Sequence, residues 1–169
     1  GAQNGILIKN AEALELMNKV TVLITDKTGT LTEGKPSVEK VVALEGASDE
    51  ILQQIASLNQ YSEHPLAQAV VNYAKENNAK LIKVNDFEAI AGMGVVGAVT
   101  KNKIALGNEK LMLKMKATIS EELKTKIIKE QKLGKTVSYI SVNQIGVGYV
   151  TISDAIKATS KEAITKLIK

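Results

Sequence analysis

The chain has 169 residues, of which 44% are hydrophobic and 24% charged, a composition typical of a folded globular domain. It contains no cysteine, which excludes disulfides and thiolate metal sites, and no apolar run approaches the ~20 residues of a membrane-spanning helix. Its net charge is +4, and all basic residues are lysines, so bidentate arginine contacts with phosphate are excluded as well.

The basic excess is concentrated in one part of the chain. Residues 101–135 hold ten Lys and four Glu, a net charge of +6, so the remainder sums to −2. With one Phe and four Tyr, few rings are present to stack on bases, and the pattern favours a solvated helical face. We therefore expect no nucleic-acid partner, although a positive face would still attract an anionic nucleotide.

The first predicted elements lead to a candidate catalytic carboxylate. Apolar spacing over residues 7–16 predicts a helix, and the β-branched run over 20–25 predicts a buried strand that stops at Asp26. Open α/β sheets place their active crevices at the carboxyl ends of strands. The hydroxyls of Thr28 and Thr30, with the N–H groups of a turn at Gly29, can surround a phosphoryl group there.

After this stretch the pattern changes at residues 33–36, where we predict a domain boundary. The predicted elements that follow are a strand over 37–44, a helix capped by Ser48 or Asp49 to about 58, a helix over 66–77 opened by Pro65, strands over 87–91, 95–100 and 103–106, helices from Asn108 to about 116 and from Ser120 to about 133, a hairpin of 136–142 and 145–152, and a helix over 154–169.

The run Asp26-Lys27-Thr28-Gly29-Thr30-Leu31-Thr32 resembles the phosphorylation motif of P-type ATPases, ion pumps that pass through an aspartyl-phosphate. The resemblance implies that Asp26 attacks the γ-phosphate of ATP, with Lys27, Thr28 and Thr30 in the same catalytic motif. It also implies a Mg²⁺ held by the Asp26 carboxylate and the Thr28 carbonyl, oxygen ligands that this ion prefers. Related haloacid-dehalogenase phosphatases carry a second Asp, a general acid/base, where this chain has Thr28. The aspartyl-phosphate should therefore persist.

Further runs resemble the heavy-metal-transporting class of these pumps and imply a nucleotide site. Ser62-Glu63-His64-Pro65-Leu66-Ala67 holds the only histidine of the chain, and the resemblance assigns His64 to the adenine, with Glu63 beside it. Asn59 stands where the family usually has a Glu that contacts the adenine amino group; its carbonyl can still accept a hydrogen bond, without charge. On the residues alone, a lone His before Pro65 is a capping residue, and without a second His or a Cys it is no metal site.

Two glycine-containing runs complete the implied site. Gly92-Met93-Gly94-Val95-Val96-Gly97 precedes a strand, so it is not a dinucleotide-binding turn, and its ordinary interpretation is a glycine hairpin. The resemblance brings the backbone at Gly92, Gly94 and Gly97 close to ATP, an approach that glycine permits. Leu106-Gly107-Asn108 contributes Asn108, which is also a helix N-cap. Phe87 is a possible stacking partner for adenine, but its strand position favours the core.

The resemblance implies an α/β fold: an α+β nucleotide-binding domain, with an antiparallel sheet flanked by helices, inserted into an incomplete haloacid-dehalogenase-like, Rossmann-like phosphorylation domain. We assign residues 1–34 to the first part of the phosphorylation domain, 35–148 to the nucleotide-binding domain and 149–169 to the return segment. We expect a fragment that lacks the rest of the phosphorylation domain. It should bind ATP with little or no turnover.

The intact protein is expected to be an integral membrane pump of which this chain is a cytoplasmic part. Its partners would be the membrane, the actuator domain and the remaining phosphorylation domain, and a heavy-metal ion would bind elsewhere. Residues 5–15 (GILIKNAEALE) are most similar to copper pumps. Two alternatives remain open: a soluble haloacid-dehalogenase-like phosphatase, and a non-enzymatic module that binds nucleotide or nucleic acid.

Overall fold

The structure, a computed structural model, describes residues 24–167 together with residues 10, 12, 16 and 19–22. One irregular π-helical turn, Lys27–Leu31, precedes a run of strands and helices. The elements are β1 (Thr32–Ala43), α1 (Ser48–Asn59), α2 (Pro65–Glu76), β2 (Val84–Ile90), β3 (Gly94–Val99), β4 (Asn102–Gly107), α3 (Glu109–Lys114), α4 (Glu121–Lys132), β5 (Thr136–Val142), β6 (Ile145–Ile156) and α5 (Ala158–Leu167).

The six strands form one antiparallel sheet in the order β1-β6-β5-β4-β3-β2. The six strands predicted after residue 36 are therefore confirmed as elements. In the hairpin of β5 and β6, Asn143 and Gln144 have φ values of +49° and +67°, the geometry that a tight two-residue turn requires. The first strand, β1, pairs with the last strand, β6. The turn Lys27–Leu31 that precedes β1, called the motif turn below, therefore lies close to the end of β6.

Both faces of the sheet are covered by helices. On one face α1 and α2 pack Ile55, Leu58 and Val70 against strand residues such as Ile104 and Val150, in the larger of two hydrophobic clusters. On the other face α3 and α4 supply the second cluster, whose members include Leu111, Met112, Leu123, Ile127, Tyr139 and Tyr149. The α1/α2 face matters for function because a cavity of about 520 Å³ opens beside it.

The predicted buried strand over residues 20–25 is wrong for the residues that the structure describes. Val20, Val22 and Ile24 are 56%, 72% and 91% exposed and belong to no strand. An apolar run becomes a strand only where a neighbouring strand accepts its backbone hydrogen bonds, and none of the six described strands pairs with it. The helix predicted over residues 7–16 falls largely outside the described residues.

Two predicted helix starts are also corrected. The last helix begins at Ala158 rather than at Asp154, because residues 154–156 continue β6 and pair with the start of β1. Helix α1 begins at Ser48, and its N-cap position is Ala47, without a side-chain cap hydrogen bond. The caps predicted at Asn108 and Ser120 are confirmed, since each side chain accepts a hydrogen bond from the backbone N–H three residues on.

The predicted domain boundary at residues 33–36 coincides with an irregular stretch of β1. Thr32 pairs with Ile156 and Pro36 with Asp154, so four steps along β1 match two steps along β6. Gly34 has a φ of +71° within this bulge. β1 nevertheless continues through it, and the domain limits at 34/35 and 148/149 stay predictions. No helix in the described part of the chain is long and apolar enough to cross a membrane.

Candidate nucleotide and phosphorylation sites

Asp26 lies immediately before the π-helical turn, with its carboxylate exposed. It therefore precedes β1 instead of following a strand, which corrects the predicted placement. Gly29 has a φ of +76°, and nothing lies within 4 Å of the position that a Cβ would take there. The turn thus presents Asp26 and Thr30 to solvent, while the side chains of Lys27 and Thr28 fall outside the described part of the structure.

A chain of hydrogen bonds anchors this turn to the end of β6. The Gly29 N–H donates to Thr32 Oγ1 (3.1 Å), and the Thr32 hydroxyl donates to Asp154 Oδ2 (2.6 Å). Lys157 Nζ donates to the Gly29 carbonyl (2.8 Å), and its N–H donates to the Leu31 carbonyl (2.9 Å). Thr32 is fully buried. The motif turn is therefore anchored by Asp154 and Lys157, which lie more than 120 positions later in the chain.

A cavity of about 520 Å³ lies where four segments of the chain converge beside Ile152 of β6. These segments are the junction of α1 and α2, the turn between β2 and β3, the junction of β4 and α3, and the start of β5. Apolar walls, such as Leu66, Val70 and Ile90, surround a few polar side chains. A mostly apolar cleft with few convergent polar groups is the usual form of a small-molecule site.

His64 stands at the rim of this cavity as the N-cap of α2. Its Nδ1 accepts a hydrogen bond from the Leu66 N–H (3.2 Å), and Pro65 occupies the first helical position. Because Nδ1 is the acceptor, the proton of the neutral ring is on Nε2. The structure thus combines the capping interpretation with the predicted site position: one nitrogen caps the helix, and the exposed ring borders the cavity.

Asn59, at the end of α1, also lines the cavity although it is only 4% exposed. Its Nδ2 donates to the Ile55 carbonyl (2.7 Å), one turn earlier in the helix. This bond fixes the amide orientation, because the reversed amide would set Oδ1 against the Ile55 carbonyl oxygen. The Oδ1 atom of this cavity-lining residue is therefore an acceptor held in a fixed orientation.

Gly92, Gly94 and Asn108 form the wall opposite α2. Asn108 Nδ2 donates to the Gly92 carbonyl (2.8 Å), and the Asn108 N–H donates to the Met93 carbonyl (2.9 Å). Gly94 is paired with Gly107, and a Cβ on Gly94 would lie 2.6 Å from the Gly107 Cα. Two neighbouring strands thus approach closely because both residues lack side chains.

The remaining predicted site residues lie apart from this cavity. Gly97 is buried in β3, where a Cβ would lie 2.8 Å from Leu58 Cδ1, so the structure gives it a packing role. Glu63 is exposed and does not line the cavity, and neither Asp26 nor Thr30 does. Phe87 packs against the core and lies 5.7 Å from the Tyr61 ring, away from the cavity, as its strand position predicted.

Thr136, Ser138 and Ile152 are among the lining residues that were not identified from the sequence. Thr136 and Ser138 alternate along β5 with Val137 and Tyr139, which pack in the second cluster. The hydroxyls therefore face the cavity side of the sheet. This period-two pattern of polar and apolar residues was the available signal, but it does not reveal which face of the sheet carries a site.

A network of charges ties β1 to α4 on the other face of the sheet. Glu130 accepts a hydrogen bond from Lys40 and forms an ion pair with Lys135 (3.0 Å), and Lys135 also donates to Glu39 (2.8 Å). The hydrogen bond from Lys40, followed by the contact with Lys135, lowers the pKa of the Glu130 carboxyl below its ordinary value. None of these side chains lines the cavity, so the network stabilises the fold rather than the site.

The motif turn suits a magnesium ion that arrives with phosphate. The described residues contain no cluster of three or more His, Asp and Glu side chains that could enclose a metal. Asp26 and the Thr28 carbonyl nevertheless supply hard oxygen donors. Protein-bound Mg²⁺ is commonly held by one or two carboxylates and completed by phosphate oxygens and water. The donor set therefore fits this ion only in combination with a phosphorylated ligand.

The sequence matches the haloacid dehalogenase-like hydrolase family over residues 20–169. It is 42% identical over 167 residues to the copper-exporting P-type ATPase of Legionella pneumophila, covering 99% of this chain and 23% of that protein. It is 41% identical over 167 residues to a probable copper-exporting P-type ATPase of Archaeoglobus fulgidus, covering 99% and 20%. The chain thus spans less than a quarter of the length of these relatives.

The fold is similar to a zinc-transporting PIB-type ATPase in its E2.Pi state, with a TM-score of 0.75 and 30% identity over 98% of this chain and 27% of that one. It is also similar to the catalytic domain of the CPx-ATPase CopB-B, which changes conformation upon nucleotide binding. In that comparison the TM-score is 0.63, with 29% identity over 98% of this chain and 56% of that one. These matches confirm the predicted fold class and the predicted resemblance.

Proposed function

The chain belongs to the haloacid dehalogenase-like hydrolase family, and from this premise we propose that it is the ATP-binding and aspartyl-phosphorylation segment of a heavy-metal P-type ATPase. One observation carries the nucleotide part of the proposal. His64, Asn59, Gly92, Gly94 and Asn108 come from distant segments, were each assigned to ATP from the sequence, and line one cavity. Five of the seven residues that the resemblance assigned to ATP therefore converge on one cavity.

The cavity suits adenine better than guanine. The fixed Oδ1 of Asn59 accepts a hydrogen bond, which the adenine amino group can donate and the guanine carbonyl cannot. The apolar walls bury the faces of the base, and the His64 ring at the rim can stack on it. A site that holds a hydrogen-bonding group for one base leaves that group unpaired with the other, which is the basis of strong discrimination.

Asp26 is the proposed phosphoryl acceptor. One oxygen of its carboxylate forms a bond to the γ-phosphorus of ATP, the bond from that phosphorus to the β,γ-bridging oxygen breaks, and ADP leaves with the electron pair. Bound Mg²⁺, held by Asp26 and the Thr28 carbonyl, would neutralise phosphate charge during this transfer. Thr28 provides no carboxylate to activate water, which favours a lasting aspartyl-phosphate. The transported ion of the intact pump, copper by similarity to the relatives, would bind outside this chain.

Calorimetric titration with ATP tests the nucleotide site. The informative variant is His64→Asn, which keeps a capping side chain and removes the ring. Its matched control is Ser120→Ala, because Ser120 caps α4 with the same 3.2 Å hydrogen bond on the opposite face of the sheet. We expect saturable ATP binding that weakens in His64→Asn and is unchanged in Ser120→Ala, with GTP binding more weakly than ATP throughout. Absence of ATP binding by the folded protein would refute the proposal.

The phosphorylation part requires a separate test. Asp26 does not line the cavity, so Asp26→Asn should leave ATP affinity unchanged while it abolishes acid-stable labelling by γ-³²P-ATP in the intact pump. Labelling that survives in Asp26→Asn would reject Asp26 as the acceptor. Salt-dependent binding to DNA or RNA that ATP does not compete with would instead favour a nucleic-acid module.

A further inference from the structure

Each polar group of the Asn108 side chain makes one hydrogen bond within the protein. Its Oδ1 accepts a hydrogen bond from the Leu111 N–H (3.1 Å), which caps α3. Its Nδ2 donates to the Gly92 carbonyl (2.8 Å), and its backbone N–H donates to the Met93 carbonyl (2.9 Å). One residue after β4 therefore holds two successive carbonyls of the turn between β2 and β3. A side chain so engaged is poorly placed to act mainly as a ligand contact.

The hydrogen bond to Gly92 fixes a peptide plane that would otherwise be held at one end only. In this turn the Met93 N–H donates to the Ile90 carbonyl (3.0 Å), so the peptide between Gly92 and Met93 is held at both ends. Gly92 has a φ of +68°, and nothing lies within 4 Å of its missing Cβ. Glycine has access to both signs of φ, so sterics alone do not determine the orientation of this peptide.

We infer that Asn108 is a positioning residue of the nucleotide site: it sets the orientation of the Gly92–Met93 peptide, and thereby the shape of the cavity wall. The inference rests on the proposed function and replaces the direct nucleotide contact that the sequence implied for Asn108. A direct contact with the nucleotide and a positioning role would use different groups of the Asn108 side chain. A direct contact would need the one remaining amide hydrogen or lone pair of Asn108, whereas positioning needs only the bond to Gly92.

The variant that separates them is Asn108→Ser. Serine is a good N-cap and keeps an acceptor for the Leu111 N–H, but it has no amide to donate to the Gly92 carbonyl. The cap-only control is Ser120→Ala, which removes a cap hydrogen bond far from the cavity. Two measurements are needed: hydrogen exchange of the Met93 amide in the ligand-free protein, and ATP affinity by calorimetry.

We expect Asn108→Ser to lose protection of the Met93 amide before any nucleotide is added. Its ATP affinity should fall by roughly two- to tenfold, the factor that one hydrogen bond contributes. Lost affinity with unchanged Met93 exchange would overturn the inference and restore direct contact. Unchanged exchange together with unchanged affinity would overturn it as well. If the wild-type protein did not bind ATP, the proposed function would fail, while Met93 exchange in Asn108→Ser would still decide whether Asn108 positions the turn.

Discussion

Replacing Gly94 by alanine should destabilise the folded protein more than the same replacement at Gly92, although both glycines line the cavity. A Cβ at Gly94 would lie 2.6 Å from the Gly107 Cα and closer still to the Leu106 carbonyl oxygen. These atoms belong to the backbone of β4, and no side chain can rotate away to relieve the contact. The neighbouring strands β3 and β4 would have to separate. At Gly92 the corresponding space is empty.

The expected difference follows from these contacts. Both glycines have positive φ values, +142° and +68°, so either alanine would incur backbone strain of about 1–3 kcal/mol. Only Gly94→Ala adds overpacking, which typically costs about 1–3 kcal/mol. For a domain of this size each kcal/mol lowers the Tm by about 2–4 °C, so Gly94→Ala should melt roughly 2–12 °C below Gly92→Ala.

Thermal unfolding followed by circular dichroism, with ATP titration of each folded variant, measures both quantities. Gly92→Ala should stay folded at room temperature and lose ATP affinity, because its methyl group enters open space at the cavity wall. Equal melting temperatures for the two variants would show that the strands adapt to a Cβ, and the packing explanation for Gly94 would be refuted. Unchanged ATP affinity in folded Gly92→Ala would contradict the assignment of Gly92 to the wall of the ATP site.

Three further predictions concern other parts of the molecule. Thr32→Val removes the hydroxyl that links Gly29 to Asp154, which should lower the unfolding free energy by about 1–3 kcal/mol in denaturant titrations. Thr32→Ser keeps a hydroxyl and should retain most of this stability. Glu130 has a lowered pKa in the folded protein, so its stabilisation is present above about pH 4.5 and is lost as pH falls through that lowered pKa; Glu130→Gln should therefore flatten the dependence of Tm on pH in this acidic range, and a parallel curve would contradict this. Asn59→Ala should reduce the preference for ATP over GTP while costing only about 0.5–1.5 kcal/mol of stability, and an unchanged preference would exclude Asn59 as the base-reading group.

The elements over residues 35–148 were predicted well from the sequence because they are specified locally. The hairpin at Asn143-Gln144, the caps at Asn108 and Ser120 and the proline at the start of α2 each depend on short-range chemistry that the structure reproduces. The convergence of the nucleotide residues could not follow from local pattern. It depends on the pairing of β6 with β1 and on the packing of α1 against β3, and it came from resemblance.

The failures lie where long-range pairing decides the structure. Val20, Val22 and Ile24 have strand-forming side chains but no partner strand among the described residues. Residues 154–156 were predicted as helix, yet they pair with the start of β1 and bring Asp154 under the motif turn. Gly97 belongs to the same glycine-containing run as Gly92 and Gly94, and only its packing against Leu58 and Val84 distinguishes it from a cavity residue.

The most direct test of the central claim is an ATP titration of the ¹⁵N-labelled protein followed by amide chemical shifts. The claim predicts saturable shifts for the turn over residues 90–94, for Leu66 and Asn108, and for residues 136–138, which surround the cavity. The amide of Leu123, at the capped start of α4 on the opposite face, should not move. Saturable shifts confined to the lysine-rich groove beside Lys101, Lys103 and Lys114, with the cavity amides unmoved, would contradict the account.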